Sequence, residues 1–258
     1  MEKKDGKYKI GLALSGGGIK GLCHAGALKA LEEYGLKPDI ISGVSAGSIV
    51  GALYADGYSP DEIGDFFKNV SFRQMTSIRV HDGGFFQIEE FEKFLFKTLR
   101  AKTFEELSIP FRVVATDLDK GKSVTFSQGT LIDKIIASST VPVLFTPKVI
   151  DKVRYVDGGV FKNFPASTIR QDCDTLIGVI ASPLVAQEYK LSIVSVAMRS
   201  YHFMVKSNII PDKELCDILI EPIDMGNYDT FSIDKSQEIF EVGYSSTKAI
   251  LKEKIKFL

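Results

Sequence analysis

Tryptophan is missing altogether, and histidine occurs only three times in 258 residues, as His24, His81 and His202. So few imidazoles leave little choice if a histidine base is needed. Cysteine is also sparse. Cys23, Cys173 and Cys216 are odd in number and show no C-x-x-C spacing, which argues against a disulfide framework and against a zinc site. Reduced thiols are the simpler expectation. Neither sign of charge dominates: 32 basic residues face 33 acidic ones, without a long run of either. No nucleic-acid partner is therefore expected. No stretch of about 18 apolar residues occurs that could span a membrane. The opening "MEKKDGKYKI" is charged with no apolar run behind it, so no signal peptide and a cytoplasmic location are expected. There is no internal repeat, low-complexity segment or linker, and one domain over 1–258 is expected.

What is present is an alternation of short apolar runs with helical patterns. "KIGLALS" sets Ile10, Leu12 and Leu14 on one strand face. "GLCHAGALKALEEYG" carries Ala25, Leu28 and Leu31 at helical spacing and stops at Gly35. "DIISGVS" reads as a strand, and "AGSIVGALYADG" as a helix ending at Gly57. Ser59, Pro60 and Glu62 form a helix start of the capping-box type. Residues 88–99 read as an amphipathic helix, "FRVVATDL" and "KSVTFS" as strands joined by a turn, and "TLIGVIAS" as a buried strand. Beyond about 190 the pattern is mainly helical, with "DILIEP" as a late strand. Strands alternating with helices predict an α/β fold with a largely parallel sheet.

Two glycine-rich turns carry candidate chemistry. "LSGGGIKG" fits G-x-G-x-x-G, a dinucleotide fingerprint. That reading needs an acidic residue at the end of the second strand, yet Asp39 precedes the apolar run "IISGV". The P-loop pattern also fails, because Gly21 follows Lys20. "GVSAG" fits G-x-S-x-G between a strand and a helix, the context of a nucleophile elbow at Ser45. An acyl-transfer nucleophile needs donors for an oxyanion, and Gly16, Gly17 and Gly18 would expose successive N–H groups near that turn.

A base is harder to find. His202 is the only histidine late enough for the Ser–Asp–His order of α/β-hydrolases, and it falls in a helical pattern that suits packing or a surface position. His24 lies in the first helix, and His81 reads as a loop residue. Asp157 in "YVDGGVFKNFP" ends a strand pattern before two glycines. An ordinary Asp-Gly turn would look the same, as Asp82-Gly83-Gly84 illustrates.

"GLALSGGGIKGLCHAGALKALEE", "GVSAGSIVGALYADG", "ASSTVPVLFTP" and "YVDGG" together resemble the four signature blocks of the patatin-like phospholipases, in that family's order, over about residues 8–182. The resemblance implies a three-layer α/β/α fold related to cytosolic phospholipase A. It implies a Ser–Asp dyad without histidine, with Ser45 as nucleophile and Asp157 as base. Gly16, Gly17 and Gly18 become the oxyanion loop, and Lys20 occupies the family's basic position, a possible headgroup contact. Thr140 departs mildly, standing where many members have alanine. The implied partner is a lipid or acyl-ester substrate, with transient contact at a membrane surface. No metal or organic cofactor is implied. Alternatives are a non-catalytic lipid-binding or regulatory module on the same fold and a nucleotide-binding enzyme. Asp117 and Asp119 suit a hairpin turn better than a metal, and the phenylalanines of "GGFFQIEEFEKFLF" suit core packing better than an acyl groove.

Overall fold

The computed structural model describes residues 6–68, 77–81, 84–87, 89–183, 192–228 and 235–254. Eleven strands appear among them: β1 (Tyr8–Leu14), β2 (Ile40–Val44), β3 (Ser77–His81), β4 (Gly84–Gln87), β5 (Phe111–Asp117), β6 (Lys122–Phe126), β7 (Val143–Phe145), β8 (Lys148–Ile150), β9 (Val153–Asp157), β10 (Cys173–Val179) and β11 (Ile218–Ile220). The helices are α1 (Leu22–Glu33), α2 (Ala46–Ala55), α3 (Pro60–Lys68), α4 (Glu89–Thr98), α5 (Leu131–Ser139), α6 (Gly159–Lys162), α7 (Ile193–Ser207), α8 (Ile210–Lys213) and α9 (Ser236–Lys254).

The main sheet runs β11-β10-β1-β2-β5-β9-β8, with β6 also paired to β5. Its first five strands are mutually parallel, while β6 and β9 pair antiparallel with β5, and β8 pairs antiparallel with β9. The sheet is therefore mixed around a parallel centre. A second, small sheet, β3-β4-β7, was not legible beforehand, and it places His81 at a strand end rather than in a loop. Asp82 lies outside the described residues.

Strand alternation sorts the core. Leu12 and Leu14 face a large cluster with helices α1, α2, α5 and α9, whereas Ala13 faces a smaller one with Phe164, Ile169 and Ile209. One face is thus covered by long helices, and the other by short turns and α8. Two helix stops fall at Gly35 and Gly57, both in the left-handed region (φ 71° and 92°). Ser59 and Glu62 close a capping box: the Ser59 N–H donates to Glu62 Oε2 at 2.8 Å, and the Glu62 N–H donates to Ser59 Oγ at 3.3 Å. Within α4, Phe91 and Leu95 are buried in the core while Phe96 is exposed.

Register brings distant residues level. Leu14 pairs with Gly43, so the glycine turn after β1 runs beside the turn after β2. Val44 pairs with Val114, and the next residue of β5, Ala115, pairs with Asp157. Ser45 and Asp157 therefore stand at one height with β5 between their strands. This is the carboxyl end of the parallel strands, where open α/β sheets place their sites.

Candidate active site

Ser45 joins β2 to α2 at φ 50° and ψ −124°. A non-glycine residue at positive φ carries strain of about 1–3 kcal/mol and persists only where its surroundings hold it. The hold is visible. The Ser45 N–H donates to Ser138 Oγ at 2.9 Å, and Ser138 Oγ donates to the Val114 carbonyl at 2.6 Å. The Ser45 carbonyl accepts from the Ser48 hydroxyl at 2.7 Å. A Cβ on Gly43 would strike the Gly47 carbonyl, and one on Gly47 would strike the Leu14 carbonyl, so both glycines of "GVSAG" permit close backbone approach.

Asp157 is completely buried at the end of β9. Its N–H donates to the Thr140 carbonyl at 2.8 Å. Its Oδ1 accepts from the Gly159 N–H at 2.7 Å, whereas the buried Oδ2 meets no donor in hydrogen-bond geometry. Burial pushes the carboxyl pKa up to about 6, while the Ser45 hydroxyl, the Gly159 N–H and the Tyr201 hydroxyl pull against that rise.

Gly16, Gly17 and Gly18 line one cavity of about 60 Å³ with Ser45 and Asp157. The Gly16 N–H is already spent on the Asn163 carbonyl at 3.0 Å. The expected row of three donors therefore reduces to Gly17 and Gly18, for whose N–H groups no acceptor is found among the described residues. Gly18 sits at φ 58° and begins a short 3₁₀ turn. A Cβ on Gly17 would lie 3.0 Å from Ala181 Cβ. Gly17→Val should thus displace the loop and lower kcat, on the order of 100-fold, more than it raises KM. Steady-state kinetics on a soluble ester decides this, and a rise in KM alone would make the loop a ground-state binding site.

The opposite wall of the cavity is α7, which contributes Met198, Tyr201, His202 and Val205. The helical pattern around His202 suits a surface or packing position, yet the residue reaches this wall. Burial, then the Arg199 and Lys20 cations, push its pKa down, and no carboxylate is among the groups acting on it. His24 is buried away from the cavity wall. Its Nε2 donates to the Ser15 carbonyl at 2.8 Å and burial pushes its pKa down to about 4, so it is a neutral prop of the glycine turn. Lys20 is buried and does not line the cavity; its charge is among those that push the His202 pKa down.

Other candidates have structural partners. Asp39 Oδ2 accepts from the Ile10 N–H at 2.9 Å, Asp117 Oδ1 accepts from the Lys120 N–H at 2.9 Å, and Asp119 pairs with Arg154. Thr140 Oγ1 donates to the Ile136 carbonyl at 2.7 Å. Ser138, Asn163, Tyr201 and Asn208 were missed. Ser138 and Asn163 stood inside quoted blocks without chemistry of their own. Tyr201 and Asn208 lie in a region with no recognisable motif, and only folding brings them to the site.

The patatin-like phospholipase family profile matches residues 12–169. The chain belongs to that family. An uncharacterized NTE family protein of Mycobacterium tuberculosis is 34% identical over 166 residues, 62% of this chain and 45% of the relative. Human patatin-like phospholipase domain-containing protein 6 is 27% identical over an alignment of 282 residues, 93% of this chain and 20% of the human protein. Lysophospholipase NTE1 of Kluyveromyces lactis is 32% identical over 168 residues, 63% of this chain and 12% of the yeast one. The chain thus spans less than half the length of these relatives. VipD from Legionella pneumophila has the same fold, with a TM-score of 0.57 at 16% identity, over 96% of this chain and 67% of VipD.

Proposed function

We propose that this chain is a serine carboxylic-ester hydrolase acting on lipids, of the phospholipase A or lysophospholipase type, with Ser45 as nucleophile and Asp157 as base. The observation that carries the reading is the meeting, in one cavity, of a strained serine, a buried carboxylate and two bare N–H groups. The relatives named phospholipase and lysophospholipase support the substrate class.

The scheme balances at each step. Ser45 Oγ attacks the ester carbonyl as its proton passes to Asp157 Oδ2. The N–H groups of Gly17 and Gly18 receive the negative charge on the carbonyl oxygen. The tetrahedral intermediate collapses, the ester C–O bond breaks, and the alcohol or lysolipid leaves with the proton from Asp157. Water then attacks the acyl-enzyme, losing its proton to Asp157 and releasing the fatty acid, and Ser45 Oγ regains that proton. A carboxylate is a weak base for a hydroxyl, and burial makes Asp157 a stronger one. No metal or organic cofactor enters the scheme.

A cavity of about 60 Å³ takes the reacting ester group and little more. The remaining lipid would extend along α7. The outer face of that helix exposes Ile193, Val196, Phe203 and Met204, with the exposed Ser200 and Ser207 among them. This face is our candidate for contact with a lipid surface. Phe203→Ser with Met204→Ser should lower hydrolysis of phospholipid vesicles by about tenfold or more, the order expected from losing two apolar anchors. Hydrolysis of a short soluble ester should stay unchanged. Equal loss on both substrates would remove α7 from lipid contact.

The reading as a whole is tested by a fluorophosphonate probe and a panel of phospholipids, lysophospholipids and chromogenic esters, run on wild type and Ser45→Ala. Labelling and turnover lost together in Ser45→Ala support it. Turnover absent from the wild type, with lipid still bound, would favour a binding module on the same fold.

A further inference from the structure

Tyr201 belongs to no signature block, and the scheme above does not use it. Its position is unusual for a tyrosine of an outer helix. No residue of α7 is fully buried, yet the Tyr201 side chain turns inward to the cavity wall. Its hydroxyl stands directly over the turn after Asp157. A Cβ on Gly159 would lie 2.9 Å from Tyr201 Oη and 3.0 Å from Asp157 Oδ1, so both oxygens crowd onto the same bare glycine. Gly159 thus makes room for a phenol beside the carboxylate.

The helix is fastened at the matching point. Asn208, which caps the carboxyl end of α7, donates from Nδ2 to the Gly159 carbonyl at 2.8 Å. Its Oδ1 accepts from the Asn163 N–H at 2.8 Å, and the Asn163 carbonyl accepts from the Gly16 N–H at 3.0 Å. A single hydrogen-bonded path therefore ties α7, the Asp157 turn and the glycine loop together. The phenol is delivered from mid-helix, about two turns before the Asn208 anchor, not by a passing contact.

We propose that Tyr201 is a positioning residue for Asp157: its hydroxyl, carried over the Gly158–Gly159 turn by α7, donates to the carboxylate and holds it for Ser45. Asp157 Oδ1 already has the Gly159 N–H, and Oδ2 is kept for the serine proton. A second donor that leaves Oδ2 available steadies the carboxylate without blocking it. Electrostatics agree in both directions. The phenol favours the charged form of Asp157, and burial together with the Asp157 charge pushes the Tyr201 pKa up, keeping its proton on. The inference rests on the proposed Ser45–Asp157 pair.

The test uses a short soluble ester, with kcat/KM measured against pH for wild type, Tyr201→Phe, Tyr201→Leu and Ser45→Ala. Loss of a donor to a charged acceptor raises that acceptor's pKa, so the acid limb should move upward by roughly one pH unit in Tyr201→Phe. Tyr201→Leu should show the same displacement. The phosphonylation rate of Ser45 against pH should move in parallel, since it reports the same proton transfer without product release. Superimposed wild-type and Tyr201→Phe profiles would overturn the inference. So would a normal Tyr201→Phe beside an impaired Tyr201→Leu, which would mean that only the ring packs. Failure of the underlying reading looks different: Ser45→Ala would then retain turnover.

Discussion

Asp157→Asn protein is expected to lose turnover by on the order of 10³–10⁵-fold and yet to unfold at a higher temperature than the wild type. The amide keeps the shape and can still accept from the Gly159 N–H, but it cannot take the Ser45 proton. The gain in stability follows from linkage. Burial raises the folded-state pKa of Asp157 from 3.8 to about 6. A carboxyl raised in this way contributes stability that is present below its unfolded pKa and lost as pH climbs through the folded one. Ionised Asp157 thus destabilises the neutral-pH fold by about 3 kcal/mol, at about 1.4 kcal/mol per pKa unit. Removing the charge should recover that amount.

The pH dependence makes the test sharper. His24 has the opposite linkage, because burial lowers its folded pKa from 6.5 to about 4. Its contribution to stability falls as pH falls through that window. In the wild type the two trends oppose each other between about pH 4 and 6. In Asp157→Asn the His24 trend is left unopposed. The difference between the two stability curves should therefore grow by about 3 kcal/mol from pH 4 to 7, read by urea unfolding at each pH. The activity of the wild type should show an acid limb near the raised Asp157 value of about 6. An active Asp157→Asn protein, or one no more stable than the wild type at neutral pH, would contradict the assignment. His202→Gln belongs in the same experiment. It should keep substantial turnover, whereas a triad histidine would lose several orders of magnitude.

Substitution of Ser45 should separate chemistry from strain. Ser45→Ala and Ser45→Gly should both be inactive and both resist fluorophosphonate labelling. They should differ in stability. Alanine keeps a Cβ at φ 50°, whereas glycine adopts that region freely. Ser45→Gly should therefore be more stable than Ser45→Ala by about 1–3 kcal/mol, the usual size of such backbone strain. Thermal or denaturant unfolding of the pair checks this. Equal stability would mean that the turn is not strained, and residual turnover in either variant would remove Ser45 from the mechanism.

Much of this molecule was legible before folding was considered. Local rules act within a few residues. They located β1, α1, β2 and α2, the capping box at Ser59 and Glu62, and the strand ending at Asp157. The "GVSAG" turn announced itself because backbone crowding demands glycines at Gly43 and Gly47, wherever the rest of the chain goes. The four blocks in order then carried the family, which the profile match over 12–169 establishes.

Tertiary structure decided the rest, because the deciding contacts join residues far apart in the chain. Antiparallel β9 sets Asp157 level with Ser45 through register with β5, and nothing local encodes which strand it will meet. The glycine run by itself offers the Gly16 N–H as a donor, but the Asn163 carbonyl, from another turn, occupies it. Lys20 stands at the family's basic position, and its burial is decided only by packing. Tyr201, His202 and Asn208 carry no motif, since their role comes only from α7 lying across the site. A sequence can specify a strained serine turn by itself. The raised pKa of Asp157 is a property of its complete burial, and burial exists only once the sheet and the segments covering it have closed around it.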